Sequence, residues 1–276
     1  MRTERRSSRS PIAIDRHFLE KLSSLIADFD EAVAGIIAEQ FDVSKGELKE
    51  LAENLPPEFD RDGSYDIDDY YEKRSIVSRY RTALEKEITL VYEGGVTIEL
   101  DSIEGIEPTL KLEVGKTTKL DVRMGSHRVL RFSLQIESRM SSNSEFAVQG
   151  RNPHVSHLAK LAGELIDSSK PDNAFLHLEA AAVTCRIVVL VSLSMATILL
   201  LRRATFVPAE IDALLLGVSL IIWVIISGIP SRLWAKLFPS VQFEFGRQHT
   251  EIESKRGLYF WIGGSIIFPI AVALAL

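Results

Sequence analysis

A single cysteine, Cys185, stands in the 276 residues, so no disulfide framework can hold this chain together. A chain with no visible cross-link fits a reducing compartment. Signature motifs of catalysis are missing as well: there is no G-x-x-x-x-G-K-[ST], no G-x-G-x-x-G behind a strand, no G-x-S-x-G and no H-E-x-x-H. The lone thiol lies inside an apolar run, a poor setting for a thiolate nucleophile. An enzyme is left as the remote alternative, with an active site set by geometry and not by spacing. The basic opening MRTERRSSRSPIAID leads into no apolar h-region and is not a signal peptide.

Charge is nearly absent from three stretches near the C-terminus, 180–201, 213–229 and 257–276, where Arg186 is the one full charge. A helix needs about 20 mostly apolar residues to cross a bilayer core of roughly 30 Å. Runs apolar on every side are expected to be transmembrane helices, which makes 179–276 a membrane domain of three spans. The loop between the second and third spans carries Arg232, Lys236, Arg247, Lys255 and Arg256, whereas the loop on the other side offers Arg202 and Arg203. The positive-inside bias then places the N-terminal domain in the cytoplasm of a multi-pass protein of the cell (inner or plasma) membrane. Arg186, about two turns into its run, is expected to snorkel to the interface, and Trp234 in SRLWAKLF is a second interface residue. Gly217, Gly228, Gly263 and Gly264 would let helix backbones approach closely, favouring a homo-oligomer or a partner membrane protein.

What is present ahead of those runs is charge, unevenly spread. Asp15–Leu178 holds 20 Lys and Arg against 31 Asp and Glu, a balance of −11. Asp28–Glu72 alone stands at −12, with 15 acids against three bases, while Lys116–Lys160 stands at +5, with eight bases against three acids. A domain this acidic is repelled by nucleic acid, so nucleic-acid binding is excluded.

Residues 1–14 are polar, rich in Arg and Ser and without periodicity, and are expected to be a disordered basic tail. Residues 15–86 read as an acidic helical segment. Phe18, Leu22, Leu25, Ile26, Phe29, Val33, Ile36 and Ile37 recur at spacings of three and four, Ser44 and Glu47 form a capping box, and a third helix covers about Ile67–Lys86. The period then falls to two, so residues 87–178 read as an antiparallel sheet of about five strands covered by a helix. Glu93-Gly94-Gly95 and Gly125-Ser126 turn two hairpins, Ser144–Val148 makes a fifth strand, and Asn152-Pro153 opens the covering helix. Val241–Phe245 alternates like a strand and is expected to add an edge to that sheet. The fold class expected is an α+β domain, 15–178, followed by the three-helix membrane region.

His154 and His157, three apart on one helix, have the spacing of a zinc pair but no evident third ligand and read as polar surface; two larger constellations could carry chemistry. With Gly63 at loop position six, Glu58, Asp60, Asp62, Asp66 and Asp69 fall at positions 1, 3, 5, 9 and 12 of a calcium-binding loop, where carboxylate oxygens could wrap a hard cation. Glu at the first position, Asp at the twelfth and Pro56-Pro57 in the entering helix depart from that pattern, so a solvated acidic loop is the stronger reading and no cofactor is required. The second is the basic sheet face of Lys119, Arg123, Arg128 and Arg131, suited to an acidic partner or to the acidic helices of the same chain ahead of the alternative, a phosphate-bearing ligand. The functional expectation is a membrane protein, in contact with the lipid bilayer, that presents a non-catalytic recognition, sensor or scaffold domain. The alternative is a membrane effector whose soluble part gates an oligomeric pore or disrupts the bilayer.

Overall fold

The computed structural model describes residues 1–54, 67–112, 115–137, 143–151 and 153–171, and in the remaining chain 174–177, 180–181, 183–184, 186–187, 190, 234, 237–245, 250 and 252–258. These divide into two compact units, Met1–Lys170 with Phe243–Gly246, and Pro171–Gln242 with Arg247–Leu276.

In the first unit, helix α1 (Arg16–Phe41) starts where the Asp15 carboxylate accepts the Phe18 N–H at 2.7 Å, satisfying one orphan donor of the first turn. It ends at Asp42, held in the left-handed region with φ 54°. Its stripe of Phe18, Leu22, Leu25, Phe29, Val33 and Ile37 is buried. Helix α2 (Lys45–Glu53) carries the full capping box: Ser44 Oγ accepts the Glu47 N–H and the Glu47 carboxylate accepts the Ser44 N–H. Helix α3 (Ile67–Ala83) buries Tyr70, Ile76, Val77, Tyr80 and Ala83, and its Arg81 donates to the Ala52 carbonyl at the end of α2.

The sheet runs in the order β1-β7-β6-β5-β3-β4, with every neighbour antiparallel: β1 (Arg2–Ser8), β3 (Lys86–Tyr92), β4 (Thr97–Leu100), β5 (Thr117–Gly125), β6 (Arg131–Glu137) and β7 (Ser144–Gly150). Gly94 and Gly95 both take positive φ, as the β3–β4 turn demands, and a 3₁₀ turn (Ile103–Gly105) and the short helix α4 (Ile106–Lys111) lead on to β5. Alternation decides what is covered. Ile88 and Leu90, Leu120 and Val122, Phe132, Leu134 and Ile136, and Phe146 and Val148 all point inward and are buried. Helix α5 (His154–Ser168) lays Val155, Leu158, Ala162, Leu165 and Ile166 over β7 and β1 and packs on α1, so the core lies between the sheet and this helical layer.

Several expectations are corrected. Residues 1–14 are not a disordered tail: Arg2–Ser8 forms β1, paired along its length with β7, and Ile12–Ile14 forms the buried strand β2. An edge strand is held by its backbone ladder, which needs no apolar side chain, so a run of Arg, Glu and Ser can supply one. The strand expected at Val241–Phe245 spans Val241–Phe243 (β8) and joins a separate two-stranded sheet with β2, where the Glu244 N–H donates to the Ile14 carbonyl at 2.9 Å; it adds no edge to the main sheet. At α5 the cap position belongs to Pro153, with no side-chain cap bond.

The larger correction concerns the membrane. Among the described residues no helix is long and apolar enough to cross a bilayer. The three expected spans, 180–201, 213–229 and 257–276, lie almost wholly outside the described residues, which hold only helical residues such as Ala180, Thr184 and Arg186 in the first and Gly257 and Leu258 in the third. Apolar length is a necessary condition for a span, and it becomes one only as a continuous helix of about 20 residues. The fold class is α+β with an antiparallel sheet. The multi-pass integral membrane protein with a cytoplasmic domain, its localisation in the cell membrane and the pore-gating alternative are set aside.

Candidate functional site

Antiparallel pairing puts Glu87, Arg123, Ser133 and Ala147 in one row across the sheet, and Thr89, Asp121, Gln135 and Glu145 in the next, on the face opposite the helices. Asp121 sits at the centre and is buried, although it lies on the outer face. Two cations on its own strand cover it: Lys119 Nζ lies 2.9 Å and Arg123 Nη2 3.0 Å from its carboxylate. Residues i and i+2 share a face of a strand, which is why a single carboxylate can hold both. Arg123 also lies 3.8 Å from Glu87, Arg5 of β1 pairs with Glu145, and Gln135 donates to Glu137. The four basic residues read together from the sequence thus separate. Lys119 and Arg123 are neutralised within the sheet, by neighbours on their own face and not by the acidic helices.

The helices find their own cations, two on α2 and one at the start of β3. Lys45 and Lys49 both reach Glu31, and Lys86 reaches Asp30 at 2.6 Å. The hydrogen bond and charge of Lys45 hold the Glu31 carboxyl below its ordinary range, and the Ser44 N–H does the same for Glu47.

Arg128 and Arg131 stand elsewhere, at the end of the sheet where β5 turns into β6. Arg131 pairs with Gly125 on one side and Gln149 on the other, and its guanidinium donates to the His127 ring. Gly150 approaches the backbone beside Arg128 so closely that an added β-carbon would lie 3.3 Å from the Val129 carbonyl oxygen and 3.5 Å from Leu130 Cα. Arg151 follows Gly150 and Arg128 precedes Val129, so the two arginines flank that approach in the chain. Both arginines are exposed, and neither meets a carboxylate among the described residues. Of the acids at this end, Glu4 is taken by Arg2 at 2.7 Å and by the Ser156 hydroxyl at 3.1 Å. The first turn of α5, with His154 and His157, follows Arg151 in the chain. Arg151 escaped the sequence reading because its neighbour is fixed by the β6–β7 register; the signal for it was Gly150, at a strand end where the backbone of another loop must come close.

The candidate cation loop of Glu58, Asp60, Asp62 and Asp66 lies outside the described residues, and Asp69 falls in the first turn of α3. Among the described residues no group of three or more His, Cys, Asp or Glu could hold a metal ion. In the second unit Trp234 donates its indole N–H to the Leu176 carbonyl at 2.9 Å and stacks at 4.9 Å on Phe238, whose ring lies 4.6 Å from the Arg256 guanidinium. Its polar end is thus spent on the protein. Arg186 is an exposed helical residue of the same unit. Compared with protein-family models, with curated proteins and with solved structures, the chain matches none of them.

Proposed function

We propose that the first unit is a non-catalytic recognition domain that docks an acidic polypeptide segment of a partner protein on the basic rim of Arg128, Arg131 and Arg151. One observation carries the reading: Arg128 and Arg151 flank the close approach of Gly150 to Val129 and Leu130, exposed and without a carboxylate among the described residues, in a unit whose Arg5, Arg6, Lys45, Lys86 and Lys119 each have one. Guanidinium forks suit carboxylates because two parallel N–H donors match two oxygens. The balance of −11 over residues 15–178 makes the rest of the surface repel the same partner, so the rim sets orientation and on-rate as well as attraction. Nucleic acid, with charge along its whole length, would meet that repulsion everywhere else.

Titration of the full chain with poly-L-glutamate, read by anisotropy, tests this. Binding is expected at low salt and should weaken as salt rises. Exposed charge pairs contribute about 0.2–1 kcal/mol each, so Arg128→Glu with Arg151→Glu should cost about tenfold or more in affinity, whereas Arg123→Glu should cost little. An equal loss with Arg123→Glu, or tighter binding of single-stranded DNA than of poly-L-glutamate, would contradict the proposal.

A further inference from the structure

We infer that Ser8 is a phosphorylation site for an arginine-directed serine kinase, and that the modification releases β1 from the edge of the sheet. Arg5 and Arg6 stand three and two residues ahead of Ser8, and both are exposed. A kinase groove lined with carboxylates reads arginines at those positions through bidentate contacts. Such a groove takes its substrate extended, and β1 is already an extended strand. Among the described residues it pairs on one side only, with β7, so it can leave without disturbing another described strand. In the transfer the Ser8 hydroxyl oxygen forms a bond to the γ-phosphorus of ATP as the bond to the β-phosphate oxygen breaks. ADP leaves, and the hydroxyl proton passes to the base of the kinase.

The docked strand cannot hold the product. Ser8 lies directly opposite Ser144, which is 1% exposed and whose hydroxyl oxygen has no hydrogen-bond partner among the described residues. The Ser8 oxygen itself accepts one donor, the Ser10 N–H at 3.1 Å. A phosphoryl group brings a charge of about −1.5 to −2 and three oxygens that need donors or water. Beside a buried hydroxyl, one N–H does not replace that hydration. Arg6, two residues back on the same face, is engaged at 3.6 Å with Asp167, and Glu4 adds like charge further along. What holds the strand end is local: the Asn143 N–H donates to the Ser8 carbonyl at 2.8 Å, and the Asn143 side-chain amide donates to the Arg9 and Ser10 carbonyls at 2.8 and 3.2 Å. Those bonds go first, and the edge of β7, Ser144–Gly150, is then free to accept a strand from elsewhere.

The test uses the full chain, ATP and a purified arginine-directed serine kinase, with mass spectrometry for the site and amide hydrogen exchange for the strand. Phosphate should be found on Ser8, and the β7 amides should then exchange faster by about tenfold or more. Ser8→Ala should remain unlabelled with β7 exchange unchanged, and Arg5→Gln with Arg6→Gln should lose the label. Phosphate absent from Ser8, or phosphate on Ser8 with β7 still protected, would overturn the inference.

Discussion

The ring of Phe29 occupies the space where a side chain on Gly125 would begin: its Cζ lies 2.6 Å from the position of a β-carbon there, and the Leu130 carbonyl oxygen closes the other side. Gly125 also takes a φ of +77°, a region that costs an L side chain steric strain. The β5–β6 turn, which carries His127 and Arg128, therefore leans directly on helix α1. Gly125→Ala should destabilise the protein by about 2–4 kcal/mol, adding strain to overpacking. Urea melts of the two proteins check this, and a loss below about 1 kcal/mol would show that the turn relaxes freely.

Asp121 answers two cations from a buried position. Removing it leaves Lys119 and Arg123 side by side without an anion between them, so Asp121→Ala should cost about 2–4 kcal/mol. Part of that cost is repulsion between like charges and should shrink in concentrated salt. Melts of the variant at low and high ionic strength would show whether it does; a salt-independent loss would assign the whole effect to packing.

The acid limb of stability should contain contributions from Glu31 and Glu47, whose carboxyls are held below the ordinary 4.5, the first by Lys45 and the second by the Ser44 N–H. A carboxyl with a depressed folded pKa contributes stability above its unfolded value and loses it as pH falls through the folded one. Glu47→Gln and Lys45→Met should therefore each flatten the decline of stability below pH 4.5 and leave its shape near neutrality unchanged. Unfolding free energies measured from neutral to acid pH decide it, and unaltered acid slopes would refute the assignment.

Arg5 and Glu145 meet across the β1–β7 ladder, yet the arginine side chain remains 70% exposed. Exposed pairs of this kind couple by about 0.2–1 kcal/mol. A double-mutant cycle of Arg5→Ala and Glu145→Ala should return a value in that range. A coupling well above it would mean that charge, and not the backbone ladder, fastens the strand.

How much of this could be read from the residues depended on where apolar side chains were needed. The stripe of α1, the capping box at Ser44 and the alternation through Leu120, Val122, Phe132 and Leu134 were legible because each element must bury one face. β1 was not, since RTERRSS has no face to bury and is fixed by partners such as Gln149 and Glu145, far away in the chain. Helix α4 was hidden by its six residues and by Pro108 within them. Of the candidate site, Arg128 and Arg131 were legible as basic residues near a turn. Their separation from Lys119 and Arg123 was not, because it depends on Asp121 and on the approach of Gly150 to Leu130. The three apolar runs were visible as runs and nothing more.

The sheet order also sets a timetable. Gln149 reaches the Met1 side chain across 148 residues, so β1 is synthesised long before the strand it pairs with. At about 5–20 residues per second the wait on the ribosome is roughly 7–30 s. Throughout that interval the β1 backbone has no neighbour, while α1 and the β3–β4 and β5–β6 hairpins close over much shorter loops. The charges of Arg2, Glu4, Arg5 and Arg6 suit such a delay, because a strand so charged on both faces pairs poorly with other nascent chains. Its polarity keeps it available until Ser144–Gly150 has emerged.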